Sequence, residues 1–99
     1  MEGVKRITRL VTQIHGFNPG PKTLGGNNLY LIGASGKRTL IDTGEAGNEK
    51  CFKAVEWVLK NDDVEVDRIV LTHWHPDHVG GLSRIKEALC PGAEVFKAP

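Results

Sequence analysis

Ninety-nine residues, 39% of them apolar and 25% charged, suit one small domain with one core; such a chain hides roughly 60–65% of its unfolded surface. The formal net charge is +1 and no long block of like charge occurs, which excludes bulk attraction to nucleic acid or to an anionic membrane. No apolar run approaches the roughly 18 residues that span a bilayer, and residues 1–16 hold Lys5, Arg6 and Arg9 without the apolar stretch of a secretory signal.

Arg6 to Ile14 alternates and is rich in branched residues, which predicts one strand. Residues 16–28, carrying Gly16, Pro19, Gly20, Pro21, Gly25, Gly26, Asn27 and Asn28, predict a long loop, and loops of about a dozen residues in compact domains are usually functional. Leu29 to Ile32 and Arg38 to Ile41 are short apolar runs around Gly33-Ala34-Ser35-Gly36 and predict a β-hairpin. The second run ends in Asp42-Thr43-Gly44.

Asn48 suits the N-cap of a helix running to about Lys60, with Cys51, Phe52, Val55, Val58 and Leu59 as its apolar stripe. Trp57 on that helix is expected at the core or its margin. Arg68 to Leu71 predicts a buried strand. Gly80-Gly81 leads into a second helix with Leu82, Ile85 and Leu89 inward, stopped by Cys90-Pro91-Gly92. Ala93 to Lys97 begins a further strand. Cys51 and Cys90, the only cysteines, are too few for a disulfide framework and predict reduced, buried thiols in an intracellular compartment. The order predicts an α/β (α+β) fold, a mixed sheet with helices on one face.

Between the fourth of these strands and the second helix stands His73-Trp74-His75-Pro76-Asp77-His78. Imidazole nitrogen and carboxylate oxygen are zinc's ligands where sulfur is absent, and iron or manganese also accept such a set. His75 precedes a proline, which favours extended backbone. Residues two apart on an extended segment face the same way, so His73 and His75 can grip one ion. Asp77 and His78, in a turn opening a helix, can converge on a second. Two ions about 3.5–4 Å apart can hold a bridging hydroxide and polarise a carbonyl or phosphoryl oxygen, which is hydrolytic chemistry. A solvated histidine-rich turn is the bland alternative, and the dense cluster in strand-to-helix context weighs against it.

Asp42 reads equally as a carboxylate that orients the metal loop or as a turn residue making an Asx bond. His15, with nothing at ligand spacing around it, reads as an edge histidine. Trp74 reads as a packing wedge or a cleft wall.

His73 to Gly81, HWHPDHVGG, resembles the H-x-H-x-D-H signature of the metallo-β-lactamase superfamily. NPGPKTLGGNNLYLIG (residues 18–33) and TLIDTG (residues 39–44) are similar to the amino-terminal half of its β-lactamase-like protein 2 branch. The resemblance runs from about Ile7 to Lys97. It implies half of an αβ/βα sandwich, residues 1–99 forming the amino-terminal part of the domain, truncated before the carboxy-terminal half. It implies a zinc-dependent endoribonuclease acting on single-stranded RNA, with two zinc ions in the complete enzyme. His73 and His75 would then ligate one zinc, Asp77 and His78 the other, and Asp77 would also move a proton. Asp42 would be a buried support of the metal loop. The loop from Asn18 through Asn27 to Asn28 would border the substrate cleft. The compartment expected is the mitochondrial matrix or cytoplasm.

The departures are concrete. The family's later histidines and bridging aspartate have no counterpart here, since no aspartate follows Asp77 and the only other histidine is His15. Each ion is left two protein ligands, whereas a catalytic zinc takes three and a water. The isolated 99 residues are therefore expected to show neither two bound zinc ions nor ribonuclease activity. An exposed sheet face is expected to invite self-association. A thioester or lactone hydrolase of the same superfamily is the rival enzymatic reading, and a non-enzymatic truncated product with weak metal binding is the third.

Overall fold

The computed structural model describes residues 3–15, 28–44, 49–72 and 76–97, with 76–80 described in their backbone alone. It contains strands β1 (Val4–Thr8), β2 (Val11–His15), β3 (Asn28–Ile32) and β4 (Lys37–Ile41), helix α1 (Glu49–Asp62), strand β5 (Glu65–Leu71), helix α2 (Pro76–Leu89) and strand β6 (Glu94–Lys97). The six strands form one sheet in chain order, β1-β2-β3-β4-β5-β6. The first four pair antiparallel, and β5 and β6 add in parallel to β4. Parallel neighbours need long crossovers, and the two helices supply them.

The expected mixed sheet with helices on one face is what forms. Thr12, Leu31, Leu40, Ile69 and Val95 follow one another across the strands in register. With Ile14 and Leu29 they face α1 and α2, and a single core joins them to Cys51, Phe52, Ala54, Val55, Val58, Leu59 and Ile85. Burial of this apolar surface, worth about 25 cal/mol per Å² removed from water, is the main force assembling the layers. Arg84 clasps the two helices: its Nη2 lies 2.9 Å from Glu49 Oε2 and its guanidinium stands 4.1 Å over the Phe52 ring. Cys51 and Cys90 are buried thiols outside any disulfide, as expected, and burial pushes the Cys51 thiol up to about 11.

On the opposite sheet face, Gln13, Tyr30, Ile41, Val70 and Phe96 form a second continuous row. Phe96, on β6, is 45% exposed, and Ile32, three strands away on β3, 39%. Gln13, Tyr30, Ile41 and Val70 of this row are half-buried.

Several element boundaries differ from expectation, among them the start of β5, at Glu65 rather than Arg68. The strand expected over Arg6 to Ile14 is a tight hairpin, because the Leu10 N–H donates to Thr8 Oγ1 and the Leu10 carbonyl accepts from the Gly33 N–H. Neither Arg9 nor Leu10 is a habitual turn residue, so local chemistry does not announce the turn. Helix α2 begins at Pro76, a position proline favours because the N–H it lacks would have had no helical partner; Gly80-Gly81 lies inside the helix rather than before it. Helix α1 runs two residues past Lys60. The N-cap expected at Asn48 lies outside the described residues. Trp57, expected at the core or its margin, is instead exposed, at 36%, and stands outside the core cluster.

Helix α1 stops in a Schellman turn. Asp63 takes φ 53°, its N–H donates to the Lys60 carbonyl, and the Val64 N–H donates to the Leu59 carbonyl. A left-handed conformation costs an L-residue about 1 kcal/mol, a cost glycine escapes. Asp63→Gly is therefore expected to stabilise the chain by about 1 kcal/mol, read as a higher urea midpoint at unchanged slope.

Candidate metal centre

Strands β4 and β5 run side by side and end at the same edge of the sheet, so residues 42–44 and Thr72 leave it together. The Asp42 N–H donates to the Val70 carbonyl at 2.8 Å and carries the parallel ladder one step past the strand. Asp42 then turns to φ 66°, the left-handed region that aspartate tolerates better than most residues. That turn places its carboxylate over the end of β5. Asp42 Oδ1 accepts from the Thr72 N–H at 2.8 Å, and Oδ2 accepts from the Thr72 hydroxyl at 2.6 Å. Bonds to an ionised acceptor are roughly twice as strong as neutral ones. The residue immediately before His73 is thus held at both of its hydrogen-bond donors by one side chain.

The same turn anchors the far side of the motif. Thr43 is buried, 2% exposed. Gly44 takes φ 77°, and a Cβ there would meet Cys51 Sγ at 3.1 Å. A Cβ built on Gly81, in the second turn of α2, would come within 2.6 Å of the Thr43 carbonyl oxygen and 2.5 Å of the Gly44 one. Helix α2 therefore rests its backbone against the Asp42-Thr43-Gly44 turn, and only glycine allows that approach. Pro76, Asp77 and His78 form the first turn of this helix.

The candidate residues fall into three groups. Asp42 bonds Thr72, the residue before His73, and is half-buried rather than buried. Asp77 and His78 lie where a helix opens, and nothing of their side chains is described. His73 and His75, with Trp74, lie outside the described residues, as do Asn18 and Asn27. Asn28 opens β3 opposite His15. That pair stands at the sheet end from which residues 42–44 leave, because Tyr30 pairs with Ile41. Among the described residues no three His, Cys, Asp or Glu side chains form a metal cage. The donor chemistry of His73, His75, Asp77 and His78 nonetheless suits zinc.

Three residues that matter here were not singled out from sequence: Thr72, Thr43 and Gly81. Thr72 had one usable signal, its place between an apolar strand and the first histidine. Gly81 was visible as half of a Gly-Gly pair, yet its role depends on backbone about 40 residues earlier in the chain.

Residues 23–92 match the family model described as the metallo-beta-lactamase superfamily. The chain is 42% identical over 89 residues to a beta-lactamase-like protein 2 homolog of Caenorhabditis elegans, covering 90% of this chain and 30% of that protein. It is 44% identical over 82 residues to the homolog of Drosophila melanogaster, covering 83% and 28%. A thioesterase of Emericella nidulans is 38% identical over 77 residues, covering 78% of this chain and 22% of that protein. Among solved structures, a metallo beta lactamase from Hirschia baltica superposes with a TM-score of 0.73 at 21% identity, over 96% of this chain and 42% of its own. The chain thus spans about a third or less of the curated relatives it matches.

Proposed function

The chain belongs to the metallo-beta-lactamase superfamily, and from that membership we propose that it serves a zinc-dependent hydrolase acting on single-stranded RNA. The observation that carries the proposal is the double clasp of Asp42 on Thr72. A carboxylate spent on fixing the residue before His73 makes sense where the following side chains must be aimed.

In this reading His73 and His75 hold one zinc ion and Asp77 and His78 hold a second. Zinc bound there supplies Lewis acidity and lowers the pKa of a coordinated water towards 7. The protein's own part is positional. Asp42 and Thr72 fix the approach to the histidine pair. Helix α2, seated on residues 43–44 through Gly81, fixes where Asp77 and His78 begin. Asp77 also passes a proton between the attacking water and the leaving oxygen. Two ligands per ion fall short of the three a catalytic zinc takes, so the proposal requires further ligands, and its assay uses a full-length form.

RNA as substrate rests on the branch resemblance in residues 18–33; the homologs at 42% and 44% identity carry that branch's name, which states no substrate. A thioester substrate is the second reading, favoured by the relative named a thioesterase. The test offers a labelled single-stranded RNA oligonucleotide and an acyl thioester side by side. Cleavage of the RNA that stops with a chelator and returns with zinc is expected. Faster turnover of the thioester, with the RNA left intact, would refute the RNA assignment.

A further inference from the structure

Helix α1 ends at Asp62 before it has covered the whole helix-side face of the sheet, and the residues left beyond it are cationic. Arg6 on β1 stands opposite Thr12 on β2, and Arg38 lies near the start of β4. Together with Thr8, Arg9 and Asp62 they line a concavity of about 530 Å³. This is the far end of β4 from Asp42, four residues or about 13 Å away along an extended strand. It is therefore separate from the candidate metal centre.

Three guanidiniums face one carboxylate here, and only one of the three is spent on it. Arg6 grips Asp62 with both terminal nitrogens, at 2.6 and 2.9 Å, and donates to Thr12 Oγ1 at 2.9 Å. Arg38 donates from Nε to the Ser35 carbonyl, which fixes the side chain and leaves its two terminal nitrogens without a partner among the described residues. Arg9, in the β1–β2 turn, has no ion-pair partner among them. The Thr8 hydroxyl oxygen accepts from the Leu10 N–H, so its proton remains to be donated. The local field is positive. Burial raises the Asp62 carboxyl, but hydrogen bonds from Arg6 and Asn61 and the charges of Arg6 and Arg38 outweigh it and hold the group below the usual carboxylate range.

We propose that this concavity binds a phosphoryl group, with Arg9 and Arg38 gripping its oxygens and the Thr8 hydroxyl donating a further bond. Guanidinium forks match phosphate geometry, and a converging hydroxyl adds a donor for a third peripheral oxygen that a carboxylate does not have. The volume falls in the range of small-molecule sites and exceeds what one phosphate fills. The phosphoryl group can thus arrive as free phosphate or on a nucleotide-sized ester.

The test titrates the full 99-residue chain with inorganic phosphate, and separately with uridine monophosphate, while following the arginine Nε–Hε signals by NMR. Saturable shifts at Arg9 and Arg38 are expected, with none from sodium chloride at equal ionic strength. Affinity should fall at least tenfold in Arg9→Gln/Arg38→Gln and rise several-fold in Asp62→Asn, which removes the opposing charge. Tighter binding of the nucleotide than of free phosphate identifies an ester site; equal binding identifies a phosphate site. Shifts that match the chloride control, or a double variant that keeps its amide spectrum and binds phosphate as before, would overturn the proposal.

Discussion

Gly81→Ala is expected to remove about 3 kcal/mol of stability, the upper end of what overpacking usually costs. Two effects oppose each other. Alanine is the better helix former by about 1 kcal/mol, and position 81 is helical. Its methyl, however, would sit 2.5 Å from the Gly44 carbonyl oxygen and 2.6 Å from that of Thr43. Both obstacles are backbone atoms in a turn already committed on three sides, so neither can swing away as a side-chain tip could. The clash wins. Urea unfolding measures it, with Gly36→Ala as the control, since a Cβ at Gly36 meets nothing within 4 Å. A loss under 1 kcal/mol at position 81 would show that α2 slides freely over the turn. Because α2 also carries Asp77 and His78, zinc affinity of the full-length form should fall along with stability.

The second large effect is at Asp42. Asp42→Ala removes both acceptors of Thr72 and puts alanine at a φ of 66°. Loss of a residue that orients metal ligands typically weakens metal binding about 10–100-fold, and zinc competition against a chromophoric chelator in the full-length form should show a drop of that order. Asp42→Asn is the informative companion. Asparagine tolerates the left-handed backbone and keeps one oxygen for the Thr72 N–H, so its folding should lie near wild type. Its amide nitrogen makes the Thr72 hydroxyl the acceptor, and the full charge of the carboxylate is lost. Zinc affinity intermediate between wild type and Asp42→Ala is expected; wild-type affinity in Asp42→Ala would detach this residue from the site.

Much of the fold was legible because periodicity and turn chemistry are local. Cys51, Phe52, Val55, Val58 and Leu59 marked one helical face without help from the rest of the chain, and Gly33 to Gly36 marked a hairpin. The break between β1 and β2 escaped because Arg9 and Leu10 have no turn signature; the bond from Gly33, 23 residues on, holds Leu10 in place. The start of α2 was misplaced for a related reason. Gly80-Gly81 looks like punctuation until the 43–44 backbone is seen lying against it. At the candidate site, residue types pointed to ligands, whereas the bond from Thr72 to Asp42, 30 residues away in the chain, left no mark in the sequence.

Strand order that equals chain order has a kinetic meaning. Each strand pairs with the one made just before it, so during synthesis the sheet can grow from β1 outward, every new strand finding its template already in place. Hairpins close in microseconds, and the slower events are the two helical crossovers. The clasp between Asp42 and Thr72 spans the first of them. It can close only after α1 has docked and β5 has come into register beside β4. Fixing of Thr72, the residue that leads into the histidine segment, is then a late product of folding, and a chain that stalls before that step would lack it.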